Sequence, residues 1–273
     1  MKLKWFPVFF LLYALVLSGC SAAGLSNRIN SGMIIQKAVS QSEKIKNSNS
    51  DLTVDFFIKT GRQSISSKVT AKGQVSSNPL FLHQHYMSVL NGKQSIQIEA
   101  YLNKNDIYVK SDLLPTAAWI SMGLNQADNS GLSLIKESFQ QMNSGTQIKL
   151  LQKFIKNIQI KESANDYSIN FTGDQNAIKQ FAMEIVRSNM DNQQAQSVSA
   201  AVNNMKITKL DYSYVVDKKT FYPKSYNSAI KITGAENGQS IDISVTVSGS
   251  FSKINQLNDL SLPATVRSAS RIN

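Results

Sequence analysis

The sequence has one cysteine, two histidines and five prolines in 273 residues. A lone cysteine excludes an internal disulfide, so an exported fold must be held by its own core. His83 and His85, two apart in FLHQHYM, would share one strand face and could place two metal ligands, but no third ligand is visible beside them. No serine sits in a GxSxG elbow with a histidine base and an orienting acid. Gly61, Gly73, Gly92, Gly234 and Gly238 stand singly, as turn or bulge residues and not as a phosphate-cradling loop. The expectation is therefore no catalytic residue, no metal, no cofactor and no enzyme. Basic residues outnumber acidic ones, 29 to 18, yet they are scattered, with no dense run and no nucleic-acid-binding motif. A solvated basic surface and attraction to a nearby anionic membrane, about 1 kcal/mol for each Lys or Arg, account for that charge equally well. Scarce proline with abundant Asn, Gln and Ser suits an exported, strand-rich chain.

Only one long apolar run is present, and it is at the N-terminus. Lys2 and Lys4 precede WFPVFFLLYALVL (Trp5 to Leu17), and Ser18 and Gly19 follow. The run is short of the roughly 20 residues that cross a bilayer as a stable helix and has the form of a cleaved secretory signal. Its ending, Leu17-Ser18-Gly19-Cys20, resembles the lipobox of bacterial lipoproteins. The resemblance implies a signal peptide over 1–19 and a diacylglyceryl group on Cys20, tethering the chain to the extracytoplasmic face of the cell membrane. Residues 20–31, ending in the small polar run SAAGLSNRINS, read as a flexible tether.

Beyond the tether, Ile34, Ile35, Ala38, Val39 and Ile45 recur at helical spacing, which predicts one amphipathic helix from Gly32 to Lys46 capped by Ser31. The period then becomes two. Val54, Phe56 and Ile58 share one face; so do Ile65, Val69, Ala71 and Val75, and then Ile96, Ile98, Ala100 and Leu102. Asn91-Gly92-Lys93 and Asn103 to Asp106 have hairpin-turn chemistry. From Pro115 to Phe154 the pattern is helical, with Leu132, Ile135, Phe139 and Met142 on one helix and Ile148, Leu151, Phe154 and Ile155 on another. Short strands are expected at Ile158 to Lys161 and Tyr167 to Phe171. Asp174 is placed to cap a helix carrying Ile178, Phe181, Ile185 and Val186, with the polar stretch Asp191 to Asn204 after it. Alternation returns in Leu210, Tyr212, Tyr214 and Val216, in Tyr226, Ile230 and Ile232, and in Ile241 through Val247. Gly234 to Gly238 reads as a turn between the last two. Met87, Met122, Met142, Met183 and Met205 read as core filler, and Trp119 as a plug for one end of the sheet or the mouth of a pocket.

These strand blocks imply an α+β fold. A large curved antiparallel sheet, an unclosed half-barrel, has one apolar face that helices must cover on its concave side. The order of lipobox, tether, first helix and meander, then YLNKNDIYVKSDLLPTAAWISM, DYSYVVDKKTFYPKSYNSAIKI and NQLNDLSLPATV, resembles the LolA/LppX-like lipoprotein superfamily in its low-GC Gram-positive branch. That resemblance spans most of Ile34 to Val266 and sets one domain over 32–266, followed by a polar tail over 267–273. It implies a groove for acyl chains or another hydrophobic ligand, and the apolar strand faces, Phe56, Ile58, Val69, Ile98, Tyr212, Tyr214 and Ile230 foremost, are the residues expected to bind it. The alternative is a packed groove in an interaction or sensor lipoprotein that binds a membrane or cell-wall protein. A cavity of several hundred Å³ between sheet and helices would separate the two.

Overall fold

Among the described residues the β-alternation forms one twelve-stranded sheet. The structure is a computed structural model that describes residues 30–114, 118–124, 126, 144–189, 206–236 and 239–272. Cys20, Met205, Gly238, the helix expected around Leu132 to Met142 and the stretch Asp191 to Asn204 lie outside the described residues.

Helix α1 (Ser31–Ser42) leads into β1 (Asn47–Thr60), β2 (Gln63–Ser77), β3 (Leu80–Leu90), β4 (Gln94–Asn103), β5 (Asp106–Ser111) and β6 (Ile120–Gly123). After α2 (Ser144–Gln152) come β7 (Ile158–Glu162), β8 (Asp166–Phe171), α3 (Gln175–Asn189), β9 (Lys206–Asp217), β10 (Pro223–Glu236) and β11 (Gln239–Ser252). Short α4 (Ala264–Arg267) and β12 (Ser270–Arg271) end the chain. The strand order is β12-β6-β5-β4-β3-β2-β1-β11-β10-β9-β8-β7. Two meanders thus run outward from a central seam, where β1 and β11 pair antiparallel from Asn49↔Ser252 to Thr60↔Ile241. This pairing buries the edges that the longest strands would otherwise present, and among the described residues the outer strands of the sheet are the short β7 and β12. The result is an unclosed, antiparallel-dominated α+β half-barrel with helices on its concave face.

The turns follow local chemistry. Asn91 and Gly92 take positive φ, 49° and 67°, as the β3–β4 hairpin requires. Asn103 Oδ1 accepts from the backbone N–H groups of Asn105 and Asp106, closing the β4–β5 turn. Asp217 Oδ1 accepts from the N–H groups of Lys219 and Thr220 and from the Thr220 hydroxyl in the β9–β10 turn. Those bonds, that from the Thr220 backbone foremost, hold the Asp217 carboxyl below the usual carboxylate range. At α3 the expected cap is in place, with the Ala177 N–H donating to Asp174 Oδ1 at 2.9 Å.

Several boundaries differ from the sequence expectation. Helix α1 stops at Ser42, not Lys46, and β1 starts at Asn47. The linking backbone is held from the far end of the chain: Asn255 Oδ1 accepts from the Lys46 N–H at 2.7 Å, and Asn255 Nδ2 donates to the Lys44 carbonyl. Ile120–Gly123, inside the stretch read as helical, is β6 because β5 offers it an edge. Ile155 lies beyond α2 in a 3₁₀ turn, exposed. Gly234 is within β10, paired with Ile241, and not in a turn. Residues 267–273, read as a polar tail, include β12, which pairs parallel with β6; Arg271 also reaches Asp106 at 2.7 Å.

Candidate functional site: the apolar face of the sheet

All seven residues expected to bind a ligand lie on one face of the sheet, because cross-strand partners share a face. Phe56 stands opposite Val245, which stands opposite Ile230 and then Leu210. The next row is Ile65, Ile58, Ile243, Ile232 and Ile207. On the other side of the Phe56 row run Val69, Val54, Val247, Ser228 and Tyr212. Beyond it come Ile98, Tyr86, Ala71, Leu52, Gly249, Tyr226 and Tyr214. Alternation puts each strand's apolar residues on one side, and the cross-strand register joins those sides into one face.

The face is not uniform. Its β8–β10 half is closed by α3. Phe181 is fully buried, stacked on Phe171 at 4.2 Å and edge-on to Phe154 and Tyr212, each at 5.1 Å. Ala182 and Met183 pack on Ile207, with Ile178, Ile230 and Ile232 around them. Tyr212 and Tyr214 are buried, and burial raises both phenols well above their ordinary value; Tyr226 beside them is pushed up to about 12. Gly249 leaves the space that the Tyr226 ring fills, since a Cβ there would lie 2.2 Å from the ring.

Across the seam the same face is less covered. Phe56, Ile58, Val69, Ile243 and Val245 are half-buried. Ile65 is 50% exposed and Leu90 41%. Ile98, also half-buried, belongs instead to the compact cluster of Val75, Leu82, Ala100, Leu102, Ile107 and Val109. The seven residues therefore divide in three. Tyr212, Tyr214 and Ile230 form the helix-covered part; Phe56, Ile58 and Val69 form an accessible apolar strip; Ile98 is a packed outlier.

The opposite face holds what the sequence reading missed. Phe81, Tyr101 and Val266 form a second small core with Tyr108, Trp119, Leu260 and Leu262. The C-terminal segment thus covers one corner of the polar face, and Trp119 plugs it there. Met87, expected in a core, is 43% exposed on this face, while Met122 and Met183 pack into apolar clusters. Two grooves lined by described residues, of about 670 Å³ and 400 Å³, also open on this side. The larger runs past Thr70, Lys72, His85, Met87, Glu99, Lys110 and Asp112.

His83 and His85 stand at its edge with the third group that linear reading did not find. The β3–β4 register sets Glu99 opposite His85. His83 Nε2 lies 3.0 Å from Glu99 Oε1, and His85 Nε2 lies 3.7 Å from it. Burial lowers the His83 pKa, against the hydrogen bond to Glu99 and with the help of His85. Counting back from the Asn91-Gly92 turn would have revealed the pairing, because a three-residue loop fixes which residues face each other.

A family profile matches residues 30–271. The chain belongs to DUF6612, a family of unknown function. No curated protein matches the sequence. Among solved structures, this DUF6612 chain is similar to LprF from Mycobacterium bovis at 10% identity and a TM-score of 0.38, covering 86% of this chain and 97% of that one. A β-barrel-like protein of domain of unknown function DUF1849 from Brucella abortus is similar at 7% identity and a TM-score of 0.22, over 76% and 99% of the two chains. Likeness this distant bears on neither ligand nor mechanism. Among the described residues, no helix is long and apolar enough to cross a membrane.

Proposed function

We propose that this DUF6612 chain is a non-catalytic lipoprotein, anchored outside the cytoplasm through lipid on Cys20, that takes up an acyl chain or another hydrophobic molecule. The observation that carries the reading is the accessible strip of Phe56, Ile58, Ile65, Val69, Ile243 and Val245, continuous with a helix-covered apolar core. Five of these six side chains are half-buried and Ile65 is half exposed, and an apolar patch left partly accessible within a sheet face marks an interaction surface. Its chemistry suits a flexible aliphatic ligand, since each methylene buried contributes about 0.8 kcal/mol and no charged partner is needed. The resemblance of the sequence to LolA/LppX-like lipoproteins points the same way, and the Leu17 to Cys20 motif supports the anchor. Two acyl chains on one cysteine give stable anchoring where a single chain does not. Such a tether favours local capture over shuttling between membranes.

The test is native mass spectrometry after mild detergent extraction, together with uptake of a fluorescent fatty acid. Bound lipid or saturable uptake, lost in Phe56→Asp and Ile58→Asp, is the expected result. A ligand-free protein that takes up no fatty acid would sink the reading. It would favour the alternative, a lipoprotein whose strip docks a protein partner; the helix-covered tyrosines and the position of the two grooves on the opposite face are the observations on that side. For the anchor, Cys20→Ser should release the protein to the medium or leave it unprocessed. Membrane retention of a cleaved Cys20→Ser form would contradict it.

A further inference from the structure

His83, His85 and Glu99 form a triangle on the polar face, far in function from the apolar strip. Residues two apart on β3 project to the same side, and the β4 residue opposite one of them completes the set. Their ligand atoms all lie within 4.8 Å of one another. Around a tetrahedral ion with bonds of about 2.0–2.1 Å, donor atoms stand about 3.3 Å apart. The two distances to Glu99 Oε1, 3.0 and 3.7 Å, straddle that value. Closing the remaining edge takes a rotation of His85, whose side chain is 61% exposed and has room to turn.

The triangle is also supported from behind. The His83 ring stacks flat on Tyr101, with centroids 4.0 Å apart and planes 5° from parallel. Tyr101 is in turn held edge-on by Phe81 and Trp119 within the C-terminal corner core. One imidazole is thus fixed by packing and the second is adjustable, while the His83–Glu99 hydrogen bond joins two of the ligating atoms and gives way to the ion when it binds. Support of this kind around a ligand is what keeps a site's geometry and affinity.

We propose that His83, His85 and Glu99 bind a divalent cation of the Zn²⁺ class, with a fourth coordination position open to the adjoining groove. Two imidazoles with one carboxylate suit Zn²⁺ and its late transition-metal neighbours, and do not suit Mg²⁺ or Ca²⁺, which take oxygen ligands. Three protein ligands leave one position for water or an external donor. Lys72 is opposite His85 and Lys110 is opposite Glu99. Their charge opposes the cation but would draw an anionic donor onto the open position.

The test uses the full chain, purified in detergent and stripped with chelator, titrated calorimetrically with ZnCl₂ and with MgCl₂. The expected result is one Zn²⁺ per chain and no saturable Mg²⁺ binding. His85→Ala and Glu99→Gln, which touch exposed or half-buried side chains, should keep the native circular dichroism spectrum and weaken Zn²⁺ binding roughly tenfold or more. Lys110→Ala should strengthen it by removing a positive charge beside Glu99. No saturable Zn²⁺ binding would overturn the proposal, as would binding that survives both ligand variants or equal uptake of Mg²⁺.

Discussion

Replacing Phe181 with alanine tests whether α3 is held on the sheet by the aromatic cluster. Phe181 has no solvent exposure, and its ring meets Phe171 at 4.2 Å and Phe154 and Tyr212 at 5.1 Å. Truncation removes the ring from water-free surroundings and leaves a hole bounded by three stiff rings, which can collapse only in part. Phe→Ala changes of this kind cost about 3–5 kcal/mol. Against the roughly 5–15 kcal/mol that separates a folded domain from its unfolded chain, that is about a fifth of the total or more. Urea unfolding followed by far-ultraviolet circular dichroism should show a lower midpoint at an unchanged slope. Phe181→Leu keeps most of the volume and should cost clearly less. A cycle with Tyr212→Ala should give a coupling of about 0.5–1.5 kcal/mol, the worth of an edge-to-face pair. A loss below about 1 kcal/mol for Phe181→Ala, with no coupling to Tyr212, would refute the docking of α3 through this ring.

Other substitutions probe the backbone and the turns. Gly73→Ala should destabilise by about 1–3 kcal/mol or more, because its Cβ would sit 1.9 Å from the His83 carbonyl oxygen and the strands would have to part. Gly92→Ala meets nothing within 4 Å and should cost only the left-handed backbone strain of about 1–2 kcal/mol; the two can be compared by thermal unfolding. Asp174→Ala should remove about 1 kcal/mol through the lost cap of α3, read from the same urea titration. Asp217 has a lowered carboxyl pKa in the folded chain. Its contribution is therefore present above the unfolded value of about 4 and is lost as pH falls through the lower folded value. Asp217→Ala should flatten the pH dependence of stability below about pH 4, and an unchanged acid limb would contradict the assignment.

What was legible in the sequence rests on short-range geometry. Period-two alternation put Phe56 with Ile58, Tyr212 with Tyr214, and Val69, Ile98 and Ile230 each on the apolar side of its own strand, because successive strand side chains point to opposite sides whatever their partners are. The hairpin at Asn91-Gly92 and the cap at Asp174 were equally readable, since each is satisfied within three or four residues. The lipobox resemblance of Leu17 to Cys20 is likewise a property of the local run.

What only the tertiary structure decided depends on residues far apart in the chain. The pairing of β1 with β11 joins the two meanders, and Asn255 sets where α1 ends by bonding Lys44 and Lys46. The fate of the shared apolar face follows from where α3 lies: it covers Tyr212 and leaves Phe56 and Ile58 half-buried, although all three have the same pattern in sequence. The C-terminal segment turns Tyr101, on the wet face by alternation, into a buried support for His83. Glu99 becomes a neighbour of the histidines only through the β3–β4 register. Alternation gives each strand two faces, but the partner that covers a face is set by the energy of packing over the whole chain, which no local window contains.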